Sequence, residues 1–394
     1  MATAQDELRE ALAKRTNTQA EDWFLVYRAR HGMLVVLREL CRSRGAGSVI
    51  TQLLTCCTAV DPIIAAGLKP VYGDVSPNTL ALDAATLPQT SATHAIVCQH
   101  TSGYIDAAST SALRDAAHAQ GALLLEDCAH CVGRLATDDK GLPLADVSFH
   151  SFGVEKMLPT YFGGAVWVNP KLEDTALRDA IVSALGSLPA PTGRLARAMR
   201  HYRTQIRVLN HLPAPLAHAL RALLVASGSF EPAISSEEMA GKVAHDPMAM
   251  GEWACAQVLN HFRSMGQTDE KRVAALASYA RELEVEGITG VRVPASMLSC
   301  AQPLLRLPVN LPTDEAADAA IAAIGALGLY AVPWYRPLLY PGVTDEGAYG
   351  FDGSLAMLPN TAALTRGALA LPCDLSAEQV HDVAQALAKI AAAS

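Results

Sequence analysis

Residues 122–133 read ALLLEDCAHCVG, and residues 146–169 read DVSFHSFGVEKMLPTYFGGAVWVN. Each opens as an apolar run and stops at chemistry: Glu126 and Asp127 close the first, Ser151 closes the second, and Lys156 follows. Short runs that are apolar on both faces suit strands of a parallel sheet, because helices cover such sheets on both sides. Working outward, residues 49–54, 70–75, 95–99, 122–127, 147–152 and 165–169 read as strands. Residues 111–120 read as a helix with Leu113, Ala116 and Ala117 on one face. Strands alternate with helices, so the expected fold class is α/β, a mostly parallel sheet with helices on both faces. In such sheets ligands bind beyond the carboxyl ends of the strands.

Composition agrees with that fold and narrows the partners. The chain has 394 residues, 51% of them hydrophobic, which excludes a disordered tail and allows two cores. A net charge of −8 gives phosphate backbones no general attraction, so nucleic acid is not an expected partner. Nine cysteines without a repeating frame read as reduced and mostly buried thiols. Cys128-x-x-Cys131 lacks a second ligand pair, so no metal is expected. The N-terminus is acidic and amphipathic, unlike a secretory signal, and neither uncharged stretch, 84–105 or 319–335, reads as a membrane span. A cytoplasmic location is expected.

After residue 170 the pattern is helical and broken by Pro189, Pro191, Pro213 and Pro215. Arg194, Arg197, Arg200, Arg203 and Arg207 recur at helical spacing. A solvated basic face is the expectation, with a surface for an anionic substrate or lipid headgroup as the alternative. A long helix over 250–284 then leads to a strand at 304–309, a helix at 313–327, a strand at 329–333 and a closing helix announced by the capping box Ser376-x-x-Gln379. Two domains are expected: a large one over 1–250, carrying the helical segment at about 181–232, and a smaller α/β one over 251–394.

A buried acid (Asp127), a histidine (His130), a hydroxyl (Ser151) and one amine (Lys156) converge at the ends of two strands. That set suits pyridoxal phosphate: an amine for the Schiff base, a carboxylate for the pyridine nitrogen, and hydroxyls or amides for the phosphate. Taken singly, each residue has a plainer reading, Lys156 as a surface lysine and Asp127 as a helix cap.

The order of these residues resembles the DegT/DnrJ/StrS-type sugar aminotransferase family, within fold type I pyridoxal phosphate enzymes. Glu126, Asp127 and His130 match its Glu-Asp with Gln or His three positions on, and Asp146, Ser151, Phe152 and Lys156 match its Schiff-base segment. AAGLKPVYGDVSPNTLALD at 65–83, HTSGY at 100–104 and LPNTAALTRGALALPCDLSAEQ at 358–379 extend the likeness. The resemblance implies a seven-stranded-type sheet, a homodimer, and roles residue by residue. Lys156 would form the Schiff base and carry the proton, Asp127 would pair with the pyridine nitrogen, His130 would touch the cofactor's phenolic oxygen or face, and Ser151 would hold the phosphate. Arg30, His31 and Gly32 stand where the family has its phosphate turn, and Cys56 stands where it has a stacking aromatic. Pro247 stands where a neighbouring subunit often contributes an asparagine. His100 and Arg336 are weaker substrate candidates, each with an equal or better reading as a packing or surface group.

The expected activity is a pyridoxal phosphate-dependent aminotransferase that takes an amino group from an amino acid, glutamate or glutamine, to a keto sugar, most often nucleotide-linked. Three alternatives remain open. One is a non-sugar keto acceptor, and one is a non-catalytic binding or regulatory protein on this fold. The third is the related dehydratase chemistry that replaces the lysine with histidine, against which Lys156 argues.

Overall fold

The computed structural model describes residues 2–285 and 290–393. Helix α1 (Ala4–Thr16) precedes β1 (Trp23–Val26) and α2 (Ala29–Arg44). The chain then lays down β2 (Ser48–Thr51), α3 (Asp61–Ala65), β3 (Lys69–Tyr72), β4 (Thr93–Gln99), α4 (Ala107–His118), β5 (Leu123–Cys128), β6 (Val147–Ser151) and β7 (Gly164–Val168). These seven strands form one sheet in the order β1-β7-β6-β5-β4-β2-β3. The neighbours from β3 to β6 run parallel, while β7 and β1 are antiparallel. The expected mostly parallel α/β sheet is present. Its first strand escaped the sequence reading because WFLV is a short edge strand, buried at only two of its four positions.

Alternation along the strands decides which helix covers which face. Val97, Leu125 and Phe149 point to one side, where α2 contributes Val36 and Leu37 and α5 (Thr175–Gly186) contributes Leu177 and Ile181. Ile50, Ile96 and Leu124 point to the other, against Leu113 and Ala117 of α4. All six residues of β5 are buried, as an interior strand covered on both sides must be. Register then levels the strand ends: Gln99 pairs with Asp127, and Cys128 with His150. His100, Asp127 and Ser151 therefore leave the sheet along one edge.

Beyond α5 come α6 (Gly193–His211) and α7 (Ala214–Ala226), then α8 (Glu252–Phe262) and α9 (Met265–Val285). The single helix expected over 250–284 is two, interrupted at Arg263 and Ser264. After α10 (Ala295–Leu298), β8 (Arg306–Asn310), α11 (Asp314–Ala326), α12 (Pro359–Thr365), β9 (Ala368–Pro372) and α13 (Ala377–Ala393), the chain has built a second, two-stranded antiparallel sheet of β8 and β9. The strand expected at 329–333 is reduced to one bridge, Val332 to Ala370. Pro333 has no N–H with which to continue a ladder. The capping box forms as read: Gln379 N donates to Ser376 Oγ at 3.3 Å, and Ser376 N donates to Gln379 Oε1 at 2.9 Å.

Two of the quoted motifs meet in space. Asp74 accepts hydrogen bonds from Asn360 N at 2.9 Å and from Thr361 N and Oγ1 at 2.8 Å, which fastens the start of α12 to the loop after β3. Asp146 has a similar framework duty, accepting from Leu124 N at 2.8 Å and contacting His118 Nε2 at 3.0 Å. No described helix is long and apolar enough to cross a membrane.

Candidate active site

A cavity of about 350 Å³ opens where β4, β5 and β6 end and α2 begins. Seven of the residues singled out from sequence line it: Arg30, Cys56, His100, Asp127, His130, Ser151 and Lys156. Lys156 lies on the loop after β6, half-buried, and forms no ion pair among the described residues. Burial pushes its ammonium below the ordinary lysine value, against the opposing pull of Cys56 and Asp127. Its Nζ sits 5.8 Å from the centre of the Trp334 ring. The downward shift favours the neutral amine, the form in which a lysine acts as nucleophile or proton acceptor.

Asp127, the last acid of β5, is 8% exposed. Burial raises its pKa, offset in part by the Ala129 N–H, which donates to Oδ1 at 2.9 Å. A carboxylate this buried, with one amide donor and no ion pair among the described residues, is suited to a cationic partner from outside the chain. His130 accepts from Ser102 N at its Nδ1, 3.2 Å away, so the tautomer that fits carries its proton on Nε2. Burial, then Lys156 and Arg306, keep the imidazole well below its ordinary value and therefore neutral. Its ring stacks on Trp334 with centroids 5.0 Å apart and planes 3° from parallel.

His100 borders the cavity as a packed, hydrogen-bonded ring. It lines the cavity, and its Nε2 lies 2.7 Å from Glu126 Oε1. Burial works to lower its pKa, but the hydrogen bond to Glu126 wins and holds the imidazole above its usual value. Glu126 also accepts from Ala136 N at 2.7 Å and Ser148 Oγ at 2.5 Å, so it is a framework acid behind Asp127.

The N-terminus of α2 presents Ala29 and Arg30 to the cavity, opposite Ser151 and Gly153. A helix start of this kind is an anion site, since its first amides lack intrahelical acceptors. The Arg30 guanidinium itself is committed elsewhere, to Glu238 at 2.6 Å and Ala233 O at 2.8 Å. Arg28 also lines the cavity, over the rings of Tyr27 and Phe162. Taken together, the amine, the acid, the hydroxyl and the helix start fit a flat aromatic aldehyde bearing a phosphate.

Three sequence candidates lie outside the cavity. His31 is fully buried, with Nε2 3.0 Å from Ala244 O and Nδ1 accepting from Met248 N at 3.2 Å; burial pushes it down to about 3. It ties α2 to residues 244–248 and contacts no ligand space. Gly32 faces the sheet, and a Cβ there would stand 2.2 Å from Val166 Cγ2. Gly32→Ala is therefore expected to cost about 1–3 kcal/mol of stability, checked by urea unfolding, through overpacking of α2 on β7. Arg336, offered as a substrate clamp, turns to Asp318 at 2.6 Å and Asp314 at 3.8 Å on α11.

Trp334 and Tyr335, which stand with Arg336 where the family resemblance implies closure over substrate, line the cavity from the second sheet's side; the sequence reading passed over Tyr340, whose backbone pairs with Thr55 and Cys57. The signal was a cluster of aromatics between prolines, PWYRPLLYP at 333–341, in which attention went to the arginine. The Trp334 ring stacks on His130 and, with centroids 5.7 Å apart, on Tyr335.

The sequence pattern of the DegT/DnrJ/EryC1/StrS aminotransferase family matches residues 25–207, the segment that carries this sheet edge. A protein of Streptomyces paromomycinus named L-glutamine:2-deoxy-scyllo-inosose aminotransferase is 26% identical over 324 residues, 80% of this chain and 66% of its own length. The chain thus spans just under two thirds of that relative. The structure of DesI in the presence of its TDP-sugar product superposes with a TM-score of 0.68 at 21% identity, over 98% of this chain and 84% of that one. NtdA from Bacillus subtilis with bound cofactor PMP gives 0.69 at 15% identity, over 100% and 78%. At these identities the two structures speak for the fold.

Proposed function

We propose that the chain is a member of the DegT/DnrJ/EryC1/StrS aminotransferase family, whose pattern matches residues 25–207, and that it is a pyridoxal phosphate-dependent aminotransferase acting on a keto sugar. The observation that carries the reading is the convergence of Lys156, Asp127 and the α2 N-terminus on one cavity. When bound, the cofactor supplies an electron sink for the substrate carbon that loses its proton. The protein's residues do the rest. Asp127 would hold the ring nitrogen protonated, a pairing that would favour its own ionised form against the effect of burial. Lys156 anchors the cofactor through its amine and then moves the proton at the substrate carbon, a task its lowered pKa favours. The first amides of α2 and the Ser151 hydroxyl hold the phosphate. His130, neutral and fixed through Nδ1, would touch the cofactor at its phenolic oxygen or its face.

Glutamine or glutamate is the proposed donor, glutamine being the donor named for the Streptomyces paromomycinus relative. The acceptor's nucleotide link is the finer part of the proposal. Arg221 on α7 lines the cavity while exposed, its guanidinium 5.3 Å from the Phe230 ring centre and without an acidic partner among the described residues. A diphosphate tail on the acceptor would meet it at the rim. Arg221→Ala is expected to raise KM for such an acceptor about tenfold and leave kcat near its original value, read by steady-state kinetics. The organisation around two sheets supports a division near residue 250, and the assembly proposed is a cytoplasmic homodimer. The reading as a whole is tested by incubating the protein with pyridoxal phosphate, glutamine and a panel of keto sugars and keto cyclitols. Mass spectrometry should find an amine in place of one carbonyl.

A further inference from the structure

Helix α7 is almost wholly apolar, APLAHALRALLVA, yet none of its residues is buried. Ala217, Leu220 and Leu224 pack against the core, while Leu216 and Leu223, on the flank of the helix beside Leu220, stand 60% and 66% exposed. A helix that is apolar all round is expected to be covered on every side. Helix α6 packs beside it and carries Arg194, Arg197, Arg200, Arg203 and Arg207, all exposed. None of the five meets a carboxylate among the described residues. From 180 to 230 the sequence has six arginines and no Asp or Glu, within a chain of net charge −8.

We propose that the α6–α7 hairpin docks on an anionic lipid bilayer, with the leucines of α7 entering the headgroup boundary and the arginines of α6 meeting lipid phosphates. Exposed leucines beside unpaired cations are the two attractions that hold a surface-lying helix on such a membrane. A second copy of the chain is a poorer occupant. An isologous contact through α7 would bring the two arginine rows alongside each other, and the hairpin has no carboxylate to answer them. Arg221, on the same helix, lines the cavity, so docking would hold the active-site rim at the membrane surface. The inference does not depend on the reaction, and its test reads partition alone.

The test is sedimentation of the full chain with vesicles of phosphatidylcholine, with and without phosphatidylglycerol, at low and high salt. The expected result is binding only where phosphatidylglycerol is present, falling at high salt. Leu216→Ser with Leu223→Ser, and separately Arg197→Gln with Arg200→Gln and Arg203→Gln, should each weaken partition by at least about tenfold. Far-UV circular dichroism checks that both variants keep their helices; the arginine variant alters only exposed side chains and stands on its own should the leucine variant misfold. Absence of binding, equal binding to both vesicle types, or a folded leucine variant that binds like the wild type would overturn the proposal. So would a fall in the light-scattering mass of the leucine variant in the absence of lipid, which would assign the face to a second copy.

Discussion

Lys156→Ala is expected to slow the reaction with glutamine by about 10⁴-fold, the upper range for loss of a positioned acid/base, and to abolish the visible band of the lysine-bound cofactor. Trp334, His130 and Asp127 would remain in place, because Lys156 makes no ion pair whose loss would unsettle them. The variant should therefore still bind pyridoxal phosphate without covalent attachment, and a small primary amine in the buffer should restore part of the rate. Stopped-flow absorbance separates these two effects. A Lys156→Ala protein that keeps the wild-type rate would remove the lysine from the reaction.

Asp127→Asn is expected to lower the same rate about 10²–10³-fold, in the range for removing one fixed electrostatic stabiliser. Stability should move the other way. Burial raises the Asp127 pKa above its free value of 3.8. Between that value and the raised one, the folded chain binds more protons than the unfolded chain, so stability falls as pH rises through the window. The Asp127→Asn variant carries no such penalty, because its amide can still accept from Ala129 N. Without cofactor it should melt at or above the wild-type temperature at neutral pH, with the gap closing below about pH 4. Added cofactor should reverse the order, since only the carboxylate gains a cation. Thermal melts across pH, with and without pyridoxal phosphate, check both signs.

What the sequence made legible was whatever depended on local pattern. Buried strands β4, β5 and β6 read correctly because apolar runs ending in polar groups have few other homes, and their ends carried Asp127, Ser151 and His100 to one edge. Position within the α2 turn was harder to read. Ala29 and Arg30 face the cavity, but a helix rotates about 100° per residue, so His31 and Gly32 face the core and β7. Arg336 takes the plainer of its two readings: its neighbours Trp334 and Tyr335 line the cavity, while α11 offers two aspartates to the arginine. Trp334 could not be paired with His130 from sequence, because the two are joined only by tertiary packing of the second sheet against the first. The break between α8 and α9 was hidden by helical spacing that continues across Arg263 and Ser264.

The central claim is that Lys156 and Asp127 share a cavity built for pyridoxal phosphate and an amino donor. Its most direct test is the visible absorbance of the purified wild-type protein titrated with pyridoxal phosphate and then with glutamine or glutamate. The account predicts a band that saturates at one equivalent per chain and bleaches when the donor is added. A protein that gives no saturable band, or one whose band is indifferent to both amino acids, would contradict it.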